Sequence, residues 1–150
     1  MADPESRSGA DGPSGSSLPP GIVRWSLVVL VAGMAILLVQ LVPFNFTTGR
    51  AGPLLGLRYD GYLSLLAQAA LFIPLGVTEG VLSRRLLGHR PVLVLGVVVM
   101  DAGLLALFCE TAQYFLLGRT SSVIDLTACT LGGVAGYTLL ATTQDLHRGG

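Results

Sequence analysis

The sequence predicts an all-α fold, a four-helix transmembrane bundle with a proline kink in its second helix. Three observations predict it. Hydrophobic residues make up 51% of the chain and the mean hydropathy is +0.69. Charged residues make up only 12%, against about 25% in a soluble domain. The apolar residues gather into four runs, each near the roughly 20 residues needed to cross about 30 Å of hydrocarbon. At 150 residues the chain has the length of one domain. Its formal net charge is zero, so no overall field draws it to nucleic acid, and the expected partner is the lipid bilayer.

The elements follow in order. Residues 1–22 are dominated by Ser, Gly, Pro, Ala and Asp. Such a segment buries too little apolar surface to fold and is expected as a disordered tail. The membrane domain is expected over residues 23–143. Its first span covers residues 25–42, with Arg24 and Trp25 marking the interface. Pro43, Gly49, Gly52, Pro53 and Gly56 then break regular structure. Because Phe44, Phe46, Leu54 and Leu55 keep this loop greasy, it is expected along the interface.

The second span covers residues 62–82. Ser64, Gln68, Phe72, Gly76 and Gly80 recur every four residues and share one helix face. Pro74 removes a backbone donor and is expected to bend the helix. Glu79 lies near the far end, where the reading places it among headgroups beside Arg84. A short basic loop with Arg84, Arg85, His89 and Arg90 leads to Pro91 and a third span over residues 92–117. A tight turn precedes the fourth span, residues 123–142. On that span Ala128, Gly132 and Gly136 form the small-xxx-small pattern that lets helix backbones approach closely. Residues 144–150 read as a short polar tail.

Arginine placement sets the expected orientation. Six arginines flank the amino end, the middle loop and the tail, and three lie in the other two loops. The positive-inside rule then puts both termini and the Arg84 loop in the cytoplasm of a multi-pass cell-membrane protein. On that orientation Gln40, Asp60, Gln68, Glu110, Gln113, Arg119 and Asp125 fall in or near the outer leaflet.

Ionisable groups in hydrocarbon are costly, and they mark a site or a structural pairing. The candidate binding cluster is therefore Asp60, Gln68, Glu110, Gln113, Arg119 and Asp125. Glu110, Gln113 and Tyr114 share a face at i, i+3 and i+4. Arg119 suits bidentate recognition of a phosphate or carboxylate. The alternative is a clasp in which Arg119 bonds Asp125 or Glu110 across the turn. A first-turn Asp125 also complements the helix dipole, and Ser121 or Ser122 is placed to cap the fourth helix. Asp101, nine residues before Glu110, points to the opposite side of its helix. It is expected to bond a neighbour or to sit near water, with a proton relay as the alternative.

Cys109 and Cys129 have no metal-ligand spacing, and His89 and His147 have no supporting cluster. No nucleophile elbow, Walker A, Rossmann or zincin pattern is present. No metal, no cofactor and no catalytic residue is therefore assigned.

Several motifs resemble the VanZ-like family of small membrane proteins, named for a member linked to low-level teicoplanin resistance. They are Pro43-Phe44 after the first span, Asp60, Phe72-Ile73-Pro74-Leu75-Gly76, Glu110-x-x-Gln113, Arg119, Asp125 and Gly132-Gly133. The resemblance runs over residues 25–142. It departs at Gln68 and Cys129, where the family usually carries Asn. What it implies is a membrane protein that binds or acts on cell-envelope components or glycopeptides. A small transporter or channel subunit using Asp101 and Glu110, and a non-catalytic structural bundle, stand beside that reading.

Overall fold

In a computed structural model the described residues form four α-helices: α1 (Pro20–Leu41), α2 (Tyr62–Leu87), α3 (Pro91–Tyr114) and α4 (Val123–Arg148). The structure describes residues 19–42, 46, 55–57, 61–88, 90–116 and 121–148, with side chains described through 144. Of the tail predicted over residues 1–22, residues 1–18 lie outside them. All four helices are long and apolar enough to cross a membrane. The chain is a multi-pass membrane protein, as its composition predicts.

Helix ends differ from the hydropathy reading for local reasons. Pro20 opens α1 at its first turn, where a missing N–H costs nothing. That puts the helix start inside the stretch read as tail. Residues 83–87 extend α2 into the predicted basic loop, and Gly88 ends it at φ 68 with its N–H on the Arg84 carbonyl. At α3 the end falls at Tyr114, where the Phe115 and Leu116 amides bond back to Ala112 and Gln113 in a tight turn. Polar residues after Thr142 continue α4 to Arg148, so most of the predicted polar tail is helical.

The small-residue faces bring the two central helices together. A β-carbon at Gly132 would land on the Ala69 carbonyl, one at Gly136 on the Ile73 carbonyl, and one at Gly76 on the Gly133 carbonyl. The α2 and α4 backbones are thus in direct contact, and dispersion between them replaces the hydrophobic drive that lipid removes. Phe72, from the same α2 face, is fully buried in a core with Leu75, Ala102, Ala106, Cys109, Cys129 and Ile36. Pro74 sits inside α2 and interrupts its hydrogen-bond ladder.

α3 lies beside both central helices, and α1 is peripheral, burying only Ile36 and Gln40. Large apolar side chains such as Leu30, Val31, Val92 and Met100 face outward, as a helix solvated by lipid requires. Two short backbone contacts tie the described parts of the first loop to the α3–α4 connection. Phe46 bridges Leu116, and Gly56 bridges Ser122. Gly56 N–H donates to the Ser121 carbonyl at 3.2 Å, and Val123 N–H donates to the Gly56 carbonyl at 3.1 Å. Gly56 therefore lies against the amino end of α4.

Candidate functional site

Antiparallel connections bring the carboxyl ends of α1 and α3 to the same face as the amino ends of α2 and α4. Each helix delivers a polar side chain there. Gln113 of α3, 3% exposed, donates through Nε2 to the Gln40 side-chain oxygen at 3.1 Å and to the Gln40 carbonyl at 3.3 Å. That carbonyl is one of the last in α1 and lacks an intrahelical donor, so Gln113 satisfies a helix end that lipid would leave bare. Gln40 Nε2 turns toward Cys129 Sγ of α4 at 4.0 Å. Cys129 Sγ in turn donates to Gln68 Oε1 of α2 at 3.5 Å. One chain of contacts, Gln113–Gln40–Cys129–Gln68, crosses all four helices.

Next to it Glu110, 2% exposed, links α3 to α4. Its Oε2 accepts the Ser122 N–H at 2.7 Å, a length typical of a charge-assisted bond. Ser122 Oγ accepts the Ile124 N–H at 3.2 Å and caps α4, so of the two serines placed to cap, Ser122 does so. Asp125 follows in the first turn of α4 and is 4% exposed. Glu110 and Asp125 both lie close enough to Cys129 to act on it electrostatically. The carboxylates and the amide chain thus belong to one buried region.

Of the sequence-derived candidates, Gln68, Glu110, Gln113 and Asp125 come together at this end. Asp60 and Arg119 lie outside the described residues. Among the described residues the clasp across the α3–α4 turn runs from Glu110 to the Ser122 backbone. Gln40 sits at the centre of the amide chain, although the sequence reading gave only its depth. Cys109 and Cys129 are both free thiols.

A second polar group differs from expectation. Glu79 is 6% exposed, turned into the bundle rather than outward beside Arg84. Its Oε1 accepts the Ser83 hydroxyl at 3.2 Å, and its carboxyl meets the Asp101 carboxyl from α3. Asp101 thus bonds a neighbour, one of its expected environments. The two acids line an apolar groove between α1, α2 and α3. Glu79→Leu should lower stability by about 1–3 kcal/mol, because it strands Ser83 and Asp101, while Glu79→Gln keeps a hydrogen-bonding oxygen and costs less. Reversible unfolding in mixed micelles checks the order. Among the described residues no group of His, Cys, Asp and Glu has the makings of a metal site.

Fold and polar network together define a four-span helical membrane protein with a buried hydrogen-bonded constellation near one membrane face. The family model described as VanZ/LLP1 matches residues 17–144, and the chain belongs to that family. No curated protein and no solved structure matches it.

Proposed function

We propose that this protein works in the cell envelope, with both termini and the Arg84 turn cytoplasmic and the Glu110–Asp125 end facing outward. There it binds a glycopeptide or an envelope precursor. The observation that carries the reading is the gathering of Gln40, Gln68, Glu110, Gln113 and Asp125 from all four helices at one end. A bundle held only by apolar packing has no use for five such side chains, and each costs free energy to desolvate. Arg119, in the connection between α3 and α4, supplies a guanidinium suited to a carboxylate or phosphate. Asp60 completes the proposed cluster from the first loop.

The test is glycopeptide susceptibility of a host expressing wild type, Arg119→Ala or Glu110→Gln at matched protein levels. Wild type should raise the inhibitory concentration over vector alone, and Arg119→Ala should return it to the vector value. Identical susceptibility in all strains rejects the reading. Labelling of Thr48→Cys by an impermeant maleimide from outside the cell checks the orientation.

One specific observation favours a second reading, in which the cluster is structural. The Glu110 bond to Ser122 N–H joins α3 to α4 without any ligand. On that reading Glu110 and Gln113 exist to close two helix ends within the membrane, and their substitution lowers folded yield while leaving susceptibility per folded molecule unchanged.

A further inference from the structure

At the opposite end of the bundle, a cavity of about 520 Å³ opens where α2 ends, α3 begins and α4 passes. Arg84, Arg85 and Arg90 line it together with Tyr137 and Gln144. Arg84 and Arg85 contact neutral groups among the described side chains. Arg84 donates to the Gln144 side-chain oxygen and lies 5.2 Å over the Tyr137 ring. Arg85 lies 5.9 Å over the Trp25 ring. Among the described side chains, which end at Gln144, none of the three has a carboxylate partner. Arg84 is half-buried and Arg85 and Arg90 are exposed, and three cations around one cavity give it a positive potential that favours an anion among them.

The cavity walls suit such an anion. Tyr137 is 5% exposed, and its hydroxyl donates to the Pro91 carbonyl at 3.3 Å. The ring that carries Arg84 is therefore fixed to the start of α3. That helix begins at Pro91 with no side-chain cap, so the free amides of its first turn add positive potential to the same end. Val81 and Val94 line the cavity with the arginines. Apolar walls and guanidinium groups in one cavity match a phosphate joined to a hydrocarbon body, at the depth where spanning helices meet headgroups.

We propose that this cavity binds a phosphate group, with Arg84 and Arg90 as its principal ligands and Tyr137 as the residue that positions Arg84. The plain alternative is that these arginines serve only as a topology signal and as a counter-charge to the α2 dipole. Both of those roles need charge alone, so Lys fills them as well as Arg. Bidentate phosphate binding needs the planar fork, so Lys does not.

The experiment uses the full chain purified in a neutral detergent. Its single tryptophan, Trp25, is stacked by Arg85 and reports on the site by fluorescence. Native mass spectrometry of the same samples counts bound molecules. The probes are dioctanoyl-phosphatidate, inorganic phosphate and dioctanoylglycerol, which has the same chains without phosphate. Saturable one-to-one binding of phosphatidate should appear, with none for dioctanoylglycerol. The R84K/R90K double variant should bind about tenfold more weakly while eluting like wild type. Binding of inorganic phosphate as tight as that of phosphatidate assigns the site to the phosphate alone, and weaker binding assigns it to a lipid headgroup. Equal binding of dioctanoylglycerol, equal affinity of the Lys variant, or no bound phosphatidate overturns the proposal.

Discussion

Replacing Gly132 with Val should abolish the folded bundle, with no monodisperse protein recovered from detergent, while Gly96→Val should leave yield unchanged. A side chain at Gly132 meets the Ala69 backbone rather than a movable side chain. Accommodation then requires α2 and α4 to separate along their length. Separation undoes the Gly76 and Gly136 contacts in the same seam and uncovers Phe72. Overpacking in a soluble core costs about 1–3 kcal/mol when neighbours can adjust, and here the neighbour is a helix backbone with little freedom to move. Gly132→Ala should show the same effect more weakly. Gly96 has nothing near its missing β-carbon, so it controls for glycine loss as such. Size-exclusion profiles of the three variants at equal expression measure the outcome, and a normal Gly132→Val profile would remove backbone contact as the basis of the fold.

That seam was legible in the sequence because its signal is periodic. Gln68, Phe72, Gly76 and Gly80 repeat at four residues, and so do Ala128, Gly132 and Gly136. Each stripe marks a face where another backbone can approach closely, and in the structure the two faces meet each other. Helix ends were less legible, since hydropathy falls where a helix emerges from lipid although its hydrogen bonds continue. Residues 83–87 and 143–148 are helical for that reason.

Depth along a helix is also readable by counting, but rotation toward a partner is not. Counting placed Glu79 near headgroups; the turn of α2 aims it at α3 and Asp101. Gln40 shows the same limit. It is an isolated amide at the end of α1, with no periodic companion on its own helix. Its partners Gln113 and Cys129 lie 73 and 89 positions away in sequence. Nothing short of tertiary structure brings them together.

The two departures from the family pattern turn out to be neighbours. Gln68 and Cys129, the two positions at which the resemblance departs, contact each other at 3.5 Å. The extra methylene of Gln68 extends its carbonyl toward α4, and the thiol of Cys129 is a smaller and weaker partner than an amide. Together Gln68 and Cys129 tie α2 to α4 at this end.

Glu110→Ala should be the most damaging substitution at the polar end, costing roughly 3 kcal/mol or more, within the range for breaking a buried charged interaction. The Ser122 N–H that it serves is the cap residue of α4, 1% exposed, and water cannot readily replace the lost acceptor. Ser122→Ala removes only the cap to Ile124 and should cost about 1 kcal/mol. Glu110→Gln retains a carbonyl oxygen at the same reach, so its cost should fall below that of Glu110→Ala, near the difference between a charged and a neutral acceptor, about 1 kcal/mol. Unfolding by increasing detergent denaturant, followed by circular dichroism, ranks the three. If the amide variant were as unstable as the alanine variant, the negative charge itself would be the essential feature. The most direct consequence would be that Glu110 holds a cation as well as the Ser122 amide, which makes Arg119 in the same turn the first residue to substitute next.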